Sequence, residues 1–271
     1  MEISEAFTSL DDWTAWSEDF LHLKNPAYIE GLVQSICATG FIDPCYGFIP
    51  GHEVVVETRN FRESLKARGC TSRYRALLKL ALDHVLGLGW CSTIYLAEHL
   101  SAFAETLSAR FPYVLTSEYI ENPIIRMRSS DTRHEDPMCL SLPDRSFDLY
   151  LSADAMVYAP DMDRLLREAH RILRRGGIFL ATFPFRYGEP DTEILAQIVN
   201  GETVHRRQPV FHHDPVSGTR TRLLYLVPGW DIVEAARAAG FASAEIVVQG
   251  SRTHAIVGSE IAAIFVLRAK A

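Results

Sequence analysis

Residues 142–183 read LPDRSFDLYLSADAMVYAPDMDRLLREAHRILRRGGIFLATF. Phe147–Ser152 is a short apolar run, Asp161–Leu173 carries Leu165, Leu166, Ala169, Ile172 and Leu173 at helical spacing, and Gly177–Phe183 is a second apolar run. Two strand-length runs separated by an amphipathic helix form a crossover unit, and strands joined in this way lie parallel. Gly176-Gly177 is expected to stop the helix before the second strand.

The same rhythm extends in both directions. Upstream are Thr93–Leu96, a helix over Ala102–Phe111, a run at Tyr113–Thr116 and a weaker one at Arg133–Glu135. Downstream, a helix over Asp231–Ala239 stops at Gly240, and Glu245–Val248 and Ile261–Arg268 read as two closing strands. Their short link favours an antiparallel edge on an otherwise parallel sheet. Before residue 90 the chain reads as mainly helical. Phe7, Leu10, Trp13, Trp16, Phe20 and Leu23 share a helical face, Asn25-Pro26 breaks it, Glu53–Glu57 is a short β-branched run, and Ser72 precedes a helix over Arg73–Leu86. The aromatic face reads as core packing or as a cap over a cavity, and the basic patch Arg68, Arg73, Arg75 and Lys79 as a solvated helix face.

The chain has 271 residues, 48% hydrophobic and 23% charged, near the average of soluble globular proteins. A net charge of −7 offers no field for phosphate backbones or anionic lipid, so neither nucleic acid nor membrane is expected as a partner. The acidic start Met1-Glu2-Ile3-Ser4-Glu5 is unlike a secretory signal, and five scattered cysteines read as reduced thiols, so a cytoplasmic location is expected. Cys45, His52 and Cys70 lack the paired short spacing of a zinc site, and no metal is expected.

Ligands of open α/β sheets sit beyond the carboxyl ends of the strands, where strand order reverses. The residues there are Ala97-Glu98-His99-Leu100-Ser101, Ser117-Glu118-Tyr119, Asp136 and Asp154. A carboxylate after the second strand can accept both hydroxyls of a ribose, which makes Glu118 the candidate; the alternative is a solvated turn. Asp136 reads either as a ligand contact or as the cap of the turn before Pro137, and Asp154 either as a contact or as the cap of a helix entering at Ala155. Residues 186–225 lack periodicity and are long for a connector, which fits a lid or substrate-binding insertion. Within them His212-His213-Asp214 could supply a general base, His213 oriented by Asp214, or could be a solvated loop.

Arg133-His134-Glu135-Asp136, Leu142–Leu149, Leu165–Gly177 and Thr182-Phe183-Pro184 resemble class I S-adenosylmethionine-dependent methyltransferases over roughly residues 93–271. Ser117-Glu118-Tyr119 and His212-His213-Asp214-Pro215 look like a bacterial subgroup of these. The resemblance implies S-adenosylmethionine as cofactor, with Glu118 on the ribose, Asp136 near the adenine amino group, Tyr119 and Asp154 beside them, and Glu98 on the cofactor ammonium. The family's glycine-rich turn is absent, since Ala97–Ala102 holds no glycine, and Met156-Val157-Tyr158-Ala159-Pro160 lacks the Glu-His common in relatives. The expected fold is therefore α/β and Rossmann-like: a mostly parallel seven-stranded sheet with an antiparallel edge strand in residues 91–271, and an N-terminal helical cap over residues 1–90. The expected function is methyl transfer to a small-molecule, biosynthetic acceptor, and a homodimer is compatible with it. The alternatives are another reaction on the same fold, such as cyclisation, elimination or hydrolysis, or a non-catalytic binding partner.

Overall fold

The computed structural model describes residues 1–88, 92–129, 131–214 and 218–271. Cys91, Pro215 and the side chain of Asp214 lie outside the described residues. A seven-stranded sheet is built from β1 (Glu2–Phe7), β2 (Ile94–Leu96), β3 (Val114–Thr116), β4 (Phe147–Ala153), β5 (Leu173–Thr182), β6 (Ser243–Ser251) and β7 (Ile264–Lys270), in the order β1-β6-β7-β5-β4-β2-β3. Strands β3, β2, β4 and β5 run parallel, whereas β7, β6 and β1 join antiparallel. Chain order reverses between β2 and β4, so a crevice is expected at their carboxyl ends.

Helices α1 (Leu10–Glu18) and α2 (Pro26–Thr39) follow the first strand, and strict alternation along the central strands sends side chains into two cores. Leu149, Leu151, Leu180 and Val266 meet Leu77 and Phe103 from helices α3 (Ser72–Leu88) and α4 (Ala102–Arg110). Tyr150, Phe179 and Leu267 meet Leu165 and Val233 from α5 (Met162–Ile172) and α6 (Ile232–Ala238), together with Trp13 of the N-terminal region. Both faces are therefore dry, which explains the near-continuous apolar character of these strands. The aromatic face of the first helix is part of this core: Trp13 lies edge-on to Phe265 at 5.3 Å.

Four details differ from the sequence reading. The chain begins with a strand rather than a helix: β1 pairs with β6 through Glu2↔Ser251 to Phe7↔Ile246, and the first helix starts only at Leu10, capped by Ser9. The antiparallel edge thus comes from the chain's start, and the closing pair lies inside it. Most of β1 is exposed, so it lacks the alternation that betrays a half-buried strand. The α5 helix ends at Ile172, ahead of the glycines, and Gly176 (φ +83°) with Gly177 forms an irregularity within β5. A Cβ on Gly177 would press on the carbonyl oxygens of Asp148 and Arg174 at 3.0 Å, which accounts for glycine there. The third apolar run pairs only through the single parallel bridge Glu118↔His134. Finally, Arg73 and Arg75 do not form a solvated face. Arg75 is fully buried and donates to the carbonyls of Leu65, Cys70 and Ala255, with burial pulling its pKa down to about 10.

Candidate active site

A cavity of about 490 Å³ opens at the carboxyl ends of β2, β3 and β4, a size suited to a drug-sized ligand. Its inner wall is Tyr95, Ala97, Ser117, Glu118, Tyr119, Asp136 and Met138, and its outer wall comes from residues 196–225. That segment forms two hairpins, Ala196–Val199 with Glu202–His205 and Phe211–Asp214 with Thr219–Leu223, which supply Ile198, His205, Phe211, Arg222 and others.

Glu118 is buried where β3 gives way to the bridge with His134. Its N–H donates to the Arg133 carbonyl at 2.8 Å, and its own carbonyl accepts from Glu135 N–H at 3.2 Å. The side chain thereby points into the cavity, where Oε2 accepts from His99 N–H at 3.3 Å and Oε1 from Arg222 Nη2 at 3.0 Å. Arg222 also donates to the Tyr119 carbonyl at 3.1 Å and lies over the Tyr158 ring. Asp136 lines the cavity and also caps its own turn, accepting from Met138 N–H at 2.8 Å, so both readings of it hold in part. Tyr119 is half-exposed on the same wall.

Glu98 and Asp154 do not line the cavity; their neighbours Ala97 and Ala155 do. Both belong to a charge cluster tying the N-terminal region to the strand ends. Asp154 sits in the left-handed region (φ 63°) and makes no capping bond; it instead accepts from Arg62 Nη1 at 2.7 Å and Nη2 at 2.5 Å, with Arg73 Nε at 3.6 Å. Burial alone would raise its pKa, but the two guanidiniums outweigh this and hold it far below the usual carboxylate range. Glu98 accepts from Tyr74 Oη at 2.5 Å, and burial raises its pKa despite Arg73. Arg73 Nη1 is buried with no hydrogen-bond partner among the described residues. The rest of the glycine-free turn also leaves the cavity open: His99 Nδ1 pairs with Thr116 Oγ1 at 2.8 Å, Leu100 is exposed, and Ser101 caps α4.

The two histidines separate. His212 Nδ1 meets Tyr158 Oη at 2.9 Å, and Tyr158 lines the cavity with its pKa pushed up to about 12 by burial. His213 is exposed, and neither histidine is on the cavity wall; the hairpin ladder shifts register between His212 and Asp214, and His212 reaches the cavity only through Tyr158. Tyr158 and Arg222 are thus functional candidates that the sequence reading missed. Arg222 has no periodic context to mark it, and Tyr158 stands in a segment whose sequence draws notice only for the Glu-His it lacks. Among the described residues no cluster of three or more His, Cys, Asp and Glu could hold a metal ion, and no helix is long and apolar enough to cross a membrane.

Residues 91–181 match the methyltransferase domain family, covering the segment from the first parallel strand to nearly the end of β5. That match covers about a third of the chain. A 57-residue stretch is 39% identical to a sarcosine/dimethylglycine N-methyltransferase of Halorhodospira halochloris; it spans 21% of this chain and about a fifth, 20%, of that protein. Among solved structures, an S-adenosylmethionine-dependent methyltransferase of Mesorhizobium loti is similar at 20% identity and a TM-score of 0.47, over 74% of this chain and 98% of that one. The 1,6-didemethyltoxoflavin-N1-methyltransferase of Burkholderia thailandensis, with its substrate and S-adenosylhomocysteine bound, is similar at 15% identity and a TM-score of 0.43, over 72% and 77% of the two chains.

Proposed function

We propose that this protein transfers a methyl group from S-adenosylmethionine to a small molecule enclosed by the hairpins of residues 196–225. The observation that carries the reading is the buried Glu118 carboxylate at the floor of a ligand-sized cavity, at the reversal of strand order. Glu118 would accept the ribose hydroxyls, and Tyr119, Asp136 and Met138 would flank the base. Arg73 and Glu98 carry the two charges that an amino-acid end requires, and the unpartnered Arg73 Nη1 is a donor waiting for an acceptor such as a carboxylate. They lie past Ala97 and Ala155, so this end of the cofactor would press toward the charge cluster.

When bound, the cofactor supplies a methyl group already activated on a sulfonium. The protein's own residues must then align the acceptor and take up its proton where it carries one. Tyr158, neutral and facing the cavity, would accept a hydrogen bond from the acceptor while donating its own proton toward His212. That assignment moves the base from His213 with Asp214 to His212. The half-buried position of His212 gives the proton an exit to solvent. A small acceptor fits the cavity and the negative net charge, and the Halorhodospira halochloris relative is named for sarcosine and dimethylglycine.

Calorimetric titration with S-adenosylhomocysteine tests the reading. Saturable heat at one site per chain is expected; absence of heat, with no nucleoside released on denaturing the purified protein, would turn the assignment toward another chemistry on this fold.

A further inference from the structure

The two sides of the cavity differ in chemistry. Its carboxylates, Glu118, Glu121, Glu135 and Asp136, all belong to the segments that follow the parallel strands, where the nucleoside is expected. Among the described residues the two hairpins contribute no carboxylate to the wall, and their arginine there, Arg222, is paired with Glu118 at 3.0 Å. In the first hairpin Ile198 stands opposite Thr203 and the buried Ala196 opposite His205, so these four side chains share the face that meets the cavity. In the second, Phe211 stands opposite Leu223, and both line the cavity. Ile198 is 45% exposed and Phe211 43%. Val199 and Val204 are exposed on the outer face of the first hairpin too, so exposure by itself is not the signal. What sets Ile198, Phe211 and Leu223 apart is that they converge with Pro160 and Tyr225 on one ligand-sized space.

We infer that the methyl acceptor is an apolar ring compound carrying a hydroxyl group, with its ring against Phe211, Ile198 and Leu223 and its hydroxyl held by His205. Apolar surface left wet inside a cavity is what an apolar ligand covers, at about 25 cal/mol for each Å² withdrawn from water. A small zwitterion would leave that surface wet. Phe211, Pro160 and Tyr225 offer flat faces, and a rigid ring covers them with less loss of conformational freedom than a flexible chain of equal size. His205 is the imidazole on this wall, and its ring has no hydrogen-bond partner among the described residues. A neutral imidazole presents one donor and one acceptor, the same pair that a hydroxyl presents in return. His205 acts here by recognition, and the proton route from Tyr158 to His212 is unchanged by it.

The inference rests on the methyltransferase reading, and the experiment separates the two. The probes are p-cresol, p-xylene, which has a methyl in place of the hydroxyl, and glycine, a zwitterion without apolar surface. Each is followed by saturation-transfer NMR on the full-length protein in saturating S-adenosylhomocysteine, whose own binding is read by calorimetry. The wild type should bind both ring compounds saturably, p-cresol the more tightly, and glycine not at all. Phe211→Ala should weaken both rings about tenfold, through lost apolar contact. His205→Leu should weaken p-cresol about fivefold, the scale of one neutral hydrogen bond, while p-xylene binds as tightly as before or more so. Binding of glycine in place of the rings, no probe signal despite calorimetric binding, ring signals that survive Phe211→Ala, or a p-cresol affinity unmoved by His205→Leu would overturn the acceptor assignment alone. Failure of the wild type to bind S-adenosylhomocysteine would instead remove the methyltransferase reading and this inference with it. Thermal melting establishes that each variant is folded, and Ile198→Ala, expected to weaken both rings, takes the place of Phe211→Ala should that change unfold the chain.

Discussion

Glu118, buried, and Asp154, half-buried, are both carboxylates at strand ends, and each is paired with arginine, yet their surroundings give them different work. Glu118 faces a cavity and accepts from Arg222 of the overlying hairpin and from the His99 N–H; Asp154 faces a closed cluster and has Arg62 in bidentate contact. Replacing Glu118 by Ala should therefore weaken S-adenosylhomocysteine binding by about 1–3 kcal/mol, the cost of leaving ligand donors unmatched, as read by calorimetry. Unchanged affinity would take Glu118 out of the site. Asp154→Asn should act on stability, because it removes one of the two anions, the other being Glu63, that Arg62 and Arg73 share in a largely buried setting. A loss of about 3 kcal/mol in urea unfolding is expected, the low end for breaking a buried pair since both side chains keep slight exposure. Position at the strand ends was legible from sequence for both residues. Their division of labour was not, because Arg62 and Arg222 stand 92 and 104 residues away from the carboxylates they meet.

At the level of elements, legibility followed burial. Strands β4 and β5 and helix α5 announce themselves because both sheet faces are covered and the helix keeps one apolar stripe. Strand β1 does not, since its identity lies in the partner edge offered by β6 rather than in its own pattern. The hairpins over the cavity were equally silent: residues 202–205 are exposed throughout, so only length and lack of periodicity marked the region as an insertion. What anchors β1 is its last residue. Phe7 is buried and meets Trp13 edge-on at 5.6 Å, with Trp16 at 5.4 Å. Phe7→Ala should cost about 3–4 kcal/mol, from lost apolar burial and the cavity left among the indoles. Urea denaturation followed by tryptophan fluorescence would measure it, and a loss below about 1 kcal/mol would mean that β1 is a decoration on the sheet rather than part of its core.

Across the whole molecule the charges that matter for stability are the few that are buried and partnered, and they set the response to pH. Glu168 is lowered by its bonds to Arg171. Burial would raise Glu135, Asp148 and Asp154, but Ser141 and Arg133, Thr93 and Arg174, and Arg62 and Arg73 respectively outweigh it, so all three are also lowered. A carboxylate whose pKa is lower folded than unfolded binds fewer protons in the native state; its stabilisation is full above the unfolded value and drains as pH falls through the folded one. Glu98 runs the other way. Burial raises its pKa, so its contribution is present at acid pH and is lost as pH rises above the ordinary value of 4.5. Four lowered groups against this one give a net loss on the acid side. Removing negative charge from a surface of net −7 opposes it only weakly, because exposed charges are screened by salt. The melting temperature should therefore start to fall below about pH 6.5, where His84 and His134, both lowered by burial, take up protons on unfolding, and fall more steeply below about pH 4.5, where the lowered carboxylates do the same. Asp154→Asn should flatten that fall, since one of the groups driving it is gone. A melting temperature that rises between about pH 5 and pH 3 would mean that relief of surface repulsion, and not the buried pairs, governs the fold in acid.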